Sequence, residues 1–264
     1  MSDVDAVIKA LRTGHDGLAA LVDGLGEDDL ARPSGVSDWD VSQVLGHLGS
    51  GAEIASAVIH TALDGGASLV NGSNFAVWDR WNAMSRRTRA RSFLRANESL
   101  VGLYESLDAR TRARLRVDLG FLTEPFDVVA GTARLRLSEF ALHSWDVRVA
   151  FDEHATLAPD AAAVLLHAKS DLLPWVSEAA GLKGLRAVIE VITTEPSSRF
   201  ALRLQSPVSA DFDVPEHPDG TLTLPAEAWV RLVAGRLSPR NSPAGVVSAG
   251  AADLDMLRAV FPGY

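Results

Sequence analysis

Glu139 and His143 stand four residues apart in the run Leu137-Ser138-Glu139-Phe140-Ala141-Leu142-His143-Ser144-Trp145-Asp146-Val147. On an α-helix that spacing projects both side chains from one face, one turn apart. Most of the surrounding residues are apolar, so the helix is expected to be buried round much of its circumference. A glutamate buried there costs several kcal/mol, as an order of magnitude, unless it is paired or binds a metal. A carboxylate and an imidazole at this spacing are two ligands of a zinc site with nitrogen and oxygen donors. The same spacing also serves a plain intrahelical hydrogen bond. A third donor stands in Val44-Leu45-Gly46-His47-Leu48, where His47 follows Val44 by three and shares its apolar face. Taken alone, a histidine so placed is more often a satisfied core residue than a ligand. Metal sites in helical bundles take side chains from facing helices. Two histidines and one glutamate leave coordination positions open, as in catalytic rather than structural zinc sites. Asp146, three residues past His143, is placed either to orient that ligand from behind or to pair with Arg148 or Arg134.

The remaining candidates are weaker. His60 lies thirteen residues beyond His47, on roughly the opposite helix face. His15 has near it only acids that are expected to be solvated, and His154, His167 and His217 fall outside the bundle or in loops. These five are read as having no chemical role. Ser144 beside His143 is no triad, because adjacent helix positions point apart. No GxGxxG, P-loop or GxSxG pattern occurs. The basic run Arg86, Arg87, Arg89, Arg91, Arg95 is spread around a helix and reads as a solvated face.

These side chains must be positioned by helices. Residues 4–22 carry Val4, Val7, Ile8, Leu11, Leu18, Leu21 and Val22 at helical spacing, ended by Gly24 and Gly26. Ser37 and Asp38 suit the N-cap of a second helix with Val41, Val44, Leu45 and Leu48 inward, running to about Leu63. A third helical stretch spans 75–107, with a break near Ser85. A fourth starts after Pro125 and runs to about Ala150. The alternating run 133–137 could form a strand, but its neighbours favour helix. Four such helices predict a bundle. Beyond Phe151 the texture changes. Pro159-Asp160 opens a helix that Pro174 interrupts. Short alternating runs at 187–191, 200–204, 208–214 and 221–224 read as strands, with helices at about 225–235 and 252–260. The chain is therefore expected to be α+β, with a four-helix bundle over 1–152 and a small α+β domain over 153–264.

Composition narrows the function. Over 264 residues, 47% hydrophobic and 22% charged content predicts a folded globular chain. A net charge of −9 argues against nucleic-acid or anionic-membrane partners. The absence of cysteine removes disulfides, thiolate metal sites and a cysteine nucleophile. No apolar stretch approaches the ~18–20 residues of a membrane span, and the acidic start Met1-Ser2-Asp3-Val4-Asp5 is unlike a signal peptide. A soluble cytoplasmic protein is expected.

The sequence resembles the mycothiol-dependent maleylpyruvate isomerase family, whose N-terminal domain is a DinB-like four-helix bundle. The resemblance rests on Ser37-Asp38-Trp39-Asp40-Val41 leading into Val44-Leu45-Gly46-His47-Leu48, and on Arg134-Leu135 through Ser138-Glu139 to His143-Ser144-Trp145-Asp146-Val147. The closing Asp253-Leu254-Asp255-Met256-Leu257-Arg258 and Phe261-Pro262-Gly263 add to it. The C-terminal part looks like the family's small α+β domain, which is similar to sterol-carrier-type domains. The resemblance implies that His47, Glu139 and His143 hold a metal, normally zinc, and that mycothiol is the cofactor or co-substrate. It also implies a C-terminal arginine for substrate carboxylates. Leu232-Val233-Ala234-Gly235-Arg236-Leu237 resembles the family's Gly-Arg motif, so Arg236 is the candidate and Arg240 its rival. The implied reaction is cis–trans isomerisation of maleylpyruvate or a related unsaturated keto acid by thiolate addition, rotation and elimination. Mycothiol S-transfer to electrophiles is the alternative enzyme. A small-ligand-binding protein with a purely structural metal is the alternative of another class, and a fourth protein ligand would favour it.

Overall fold

The computed structural model describes residues 3–66, 72–117, 126–168 and 173–263. The chain divides into two compact units, Met1–Asp152 and Glu153–Tyr264.

The first unit begins with α1 (Asp3–Asp23), whose Val7, Leu11, Leu18 and Val22 are buried, and a short α2 (Glu27–Leu30). Helix α3 (Val41–Leu63) starts later than Ser37 or Asp38 would place it. Asp38 adopts a left-handed φ of 64° in the preceding turn, so it cannot cap. Asp40 caps instead. Its carboxylate accepts the Gln43 N–H at 2.8 Å, and Gln43 Oε1 accepts the Asp40 N–H at 2.8 Å. The stretch 75–107 is divided into α4 (Gly72–Asn82) and α5 (Arg86–Ser106), with Ser85 as the N-cap of α5. Gly49 lets these helices close on α3. A Cβ there would lie 2.2 Å from the Trp81 ring and 3.1 Å from Phe93 Cα. After α6 (Ala109–Arg114), strands β1 (Arg116–Val117) and β2 (Phe126–Asp127) form a two-residue antiparallel pair. The expected helix start at Pro125 lies outside the described residues. From Val128 to Ala133 the backbone is π-helical, and α7 proper is Arg134–Arg148. The run 133–137 therefore contributes to a helix and not to a strand.

In the second unit α8 (Pro159–Ala168) and α9 (Leu173–Val176) precede a sheet of β3 (Ala187–Thr194), β4 (Ser197–Leu204), β5 (Ser209–Asp211), β6 (Gly220–Leu224) and β7 (Val247–Gly250). The order is β5-β4-β3-β6-β7, antiparallel except for the β3–β6 pair. Helix α10 (Ala226–Val233) joins β6 to the segment before β7 and is buried along its whole length, with Trp229 edge-on to Phe200 and Phe261. Helix α11 (Leu254–Val260) closes the chain. β7 was not expected from the sequence. It is a sheet edge, mostly exposed, so it lacks the apolar alternation that marks a half-buried strand. Gly235, the glycine of the Gly-Arg segment, has a structural reason. Its φ is +70°, and a Cβ there would sit 2.4 Å from Gly263 Cα.

Candidate functional site

Helix α3 presents His47, and α7 presents Glu139 and His143, toward one another. His47 Nε2 lies 3.4 Å from Glu139 Oε2, and His143 Nε2 lies 3.7 Å from the same oxygen. One donor atom from each residue falls within 4.8 Å of the others, and the two imidazoles meet edge-on at 4.7 Å. Tetrahedral zinc with bonds of about 2.0–2.1 Å separates its donors by about 3.3 Å. The spacing and the two-nitrogen, one-oxygen donor set therefore fit such an ion with little adjustment. Among the described residues this group offers three donors.

The glutamate is not buried as the apolar neighbours suggested. Its side chain is 44% exposed, against 14% for His143, so this face of α7 opens outward. The hydrogen bond from His47 nevertheless holds the Glu139 carboxyl down to about 2, helped by the charges of His143, His47 and Arg136 and opposed by desolvation. It is a carboxylate at neutral pH, the form that binds a metal.

Asp146 is wholly buried, and its Oδ2 lies 2.8 Å from His143 Nδ1. A hydrogen bond from Nδ1–H to this carboxylate is the arrangement that leaves the Nε2 lone pair toward the cluster. The Asp146 carbonyl also accepts the Gly35 N–H at 2.8 Å, and a Cβ on Gly35 would lie 2.7 Å from Asp146 Oδ1. Asp146→Asn keeps the shape and removes the charge. Its divalent-metal affinity is expected to fall roughly tenfold or more, measured by competition with a chelator. Unchanged affinity would remove the orienting role.

His15 is buried, while the acids beside it, Asp16 and Glu98, are exposed as expected. It lies 3.0 Å from Glu98 through Nε2, and its Nδ1 accepts from Asn97 Nδ2 at 2.9 Å. Asn97 Oδ1 in turn accepts from Arg136, whose Nη2 also donates to the Leu48 carbonyl at 2.7 Å. Burial pushes the Arg136 guanidinium down to about 10, which leaves it a cation at neutral pH. This polar chain links α1, α5, α7 and the α3 turn that bears His47. Arg136 is three residues before Glu139, so the spacing rule that marked His143 could have found it. His15, Asp16 and Glu98 form a second group of donors beside an open depression of about 470 Å³. Its acids are already met by Arg12, at 2.6 Å from Glu98 and 3.3 Å from Asp16.

Arg89 is not part of a uniformly solvated face. With Trp39, Gln43, His47, Trp78 and Asn82 it lines a cavity of about 600 Å³. His60 is exposed, as its position thirteen residues on implies. His154 and His217 lie in the second unit, and the His167 side chain lies outside the described residues. Arg236 and Arg240 also belong to the second unit. Arg236 donates to the Ala234 carbonyl at 3.0 Å, and the exposed Arg240 pairs with Glu153 at 2.8 Å. No helix among the described residues is long and apolar enough to cross a membrane.

Comparison with known proteins bears on this site. The profile of the mycothiol maleylpyruvate isomerase N-terminal domain matches residues 11–148, just over half of the chain. Among solved structures, the chain is similar to the crystal structure of the mycothiol-dependent maleylpyruvate isomerase, with 13% identity and a TM-score of 0.66 over 95% of each chain. It is similar also to a histidine-to-alanine mutant of that isomerase, with 14% identity and a TM-score of 0.63 over 95% of each chain. No curated protein gives a significant match. At these identities the structural likeness speaks for the fold: a helical unit followed by a small α+β unit.

Proposed function

We propose, because this chain belongs to the mycothiol maleylpyruvate isomerase N-terminal domain family, that it is a metal-dependent enzyme using mycothiol, with cis–trans isomerisation of maleylpyruvate or a related unsaturated keto acid as its reaction. One observation carries the reading: three donors converge beside a cavity, and His47 belongs to both the donor group and the cavity wall. Structural zinc is usually closed by four protein ligands, and three with space alongside suit a catalytic ion. His47, Glu139 and His143 would hold a divalent metal, normally zinc. Bound there, the metal would lower the pKa of a thiol so that thiolate is present near neutral pH.

The protein's own residues do the rest. Asp146 keeps the His143 tautomer and ring orientation. Trp39 and Trp78 give the cavity apolar walls and displace water. The net chemistry needs no oxidant. A thiol S–H adds across the cis double bond, the resulting single bond turns, and elimination returns the thiol with the trans double bond. Arg236 or Arg240 is proposed to bind a substrate carboxylate from the second domain, 153–264. Mycothiol S-transfer remains the second enzymatic reading, since an adduct released instead of eliminated needs the same residues.

The metal-loaded protein is expected to isomerise maleylpyruvate only when mycothiol is supplied, followed by the absorbance change of the product. Consumption of mycothiol without isomerisation would favour S-transfer. Metal binding without thiol-dependent turnover of acidic or electrophilic substrates would leave the non-catalytic reading in place.

A further inference from the structure

We propose that Arg89, in the first unit, is a carboxylate-binding residue that makes the cavity beside His47 selective for a small acid. The inference rests on the reading of that cavity as the substrate site, and it adds a residue to the two C-terminal arginines already named.

The Arg89 guanidinium is held in place. Nε donates to the Trp81 carbonyl at 3.1 Å, Nη2 to the Asn82 carbonyl at 2.5 Å, and Nη1 to Ser42 Oγ at 3.3 Å. Two of these acceptors are the last carbonyls of α4, so the cation also satisfies the end of that helix. All three acceptors are uncharged. Among the described residues no carboxylate pairs with Arg89, whereas its neighbours Arg86 and Arg87 pair with Asp40 and Glu27. A guanidinium has five N–H bonds, so donors remain for a ligand.

The sequence around His47 makes room for this arrangement. A Cβ on Gly46 would lie 3.1 Å from Arg89 Cδ. The Arg89 stem therefore crosses α3 at the residue immediately before His47. The cavity's other lining groups are neutral amide and hydroxyl side chains, two tryptophans and the histidine, with no acid among them. A fixed cation in a cavity whose lining holds two tryptophans and no acid favours an anion. The planar fork suits a carboxylate in particular.

The test uses zinc-reconstituted protein and maleate, a stable dianion, titrated by calorimetry, with the neutral diamide of maleic acid as the control. Maleate is expected to bind the wild type and the diamide not to bind. Arg89→Gln is expected to weaken maleate at least tenfold while metal content and melting temperature stay near wild type. Arg89→Lys should recover part of the loss, because it keeps the charge but not the fork. If Arg89→Gln disturbs the end of α4, Gly46→Ala displaces the Arg89 stem while leaving the guanidinium present, and it too should weaken maleate several-fold. The proposal is overturned if the wild type fails to bind maleate, or if both Arg89→Gln and Gly46→Ala bind it within twofold of wild type.

Turnover separates this proposal from the reading beneath it. Isomerisation of maleylpyruvate with an unchanged KM in Arg89→Gln would sink the role of Arg89 alone. Arg89-dependent maleate binding without any thiol-dependent turnover would sink the isomerase reading and leave the acid site standing.

Discussion

On the proposed three-ligand site, the wild type is expected to take up about one equivalent of divalent metal and His143→Ala to lose it, with thiol-dependent turnover falling on the order of a thousandfold or more. Three donors are the whole protein contribution among the described residues. Removing one leaves a two-ligand site that competes poorly with water and buffer. The loss of an ion worth several kcal/mol of transition-state stabilisation corresponds to about three powers of ten in rate. His143 is also the proposed ligand with a buried carboxylate behind it, Asp146 at 2.8 Å. The helix should survive, because Phe140, Leu142, Trp145 and Val147 carry the burial of α7. The measurement is elemental analysis beside circular dichroism. A mutant that keeps its full metal content would refute the three-ligand site. A wild type that takes up no metal even on reconstitution would reduce His47, Glu139 and His143 to a polar cluster on two facing helices.

The second large effect lies far from that chemistry in the sequence. Glu227→Gln should destabilise the second unit by about 3–5 kcal/mol, the usual cost of stripping one partner from a buried ion pair. Arg231 is 1% exposed and Glu227 8%. The two meet through a bidentate fork, Nε to Oε2 at 2.7 Å and Nη2 to Oε1 at 2.8 Å. Arg231 Nη1 also donates to the Asn241 carbonyl at 2.8 Å, and Glu227 Oε2 accepts the Leu157 N–H at 3.3 Å. The pair thus ties α10 to the segments around Leu157 and Asn241. An amide at 227 accepts fewer of these bonds and removes the carboxylate charge that the buried guanidinium meets. Urea unfolding followed by tryptophan fluorescence, with Trp229 inside this core, should show the midpoint falling. A change below about 1 kcal/mol would mean that water or another group solvates Arg231. The metal content of this variant should stay at the wild-type level, because the three donors all lie in the first unit.

The local pattern already carried much of this. Period-3.6 apolar spacing marked α1 and α3, and alternation marked β3, β4 and β6, because one-sided burial imposes those periods on any chain that folds. The i,i+4 spacing of Glu139 and His143, and the position of Asp146 three residues on, are helix geometry that can be read without coordinates. The β7 edge was illegible, because an exposed strand is under no pressure to alternate. Asp40 displaced Ser37 and Asp38 as the cap because the left-handed turn at Asp38 reverses the chain first, a backbone choice that residue type alone does not announce.

Long-range approach was decided elsewhere. Nothing in the spacing of His47 and Glu139, 92 residues apart, says that Nε2 and Oε2 should lie 3.4 Å from each other. That depends on how closely α3 and α7 can pack. The same holds for His15, which the sequence left without a role and which α5 meets with Asn97 and Glu98. It holds for Arg89 too, one arginine in a run of five, which differs from Arg86 and Arg87 only through the carbonyls of α4 and the missing side chain of Gly46. Periodicity is a property of one element and can be read along the chain. Which charge meets which partner is a property of two or more elements, and it exists only once their surfaces have been brought together.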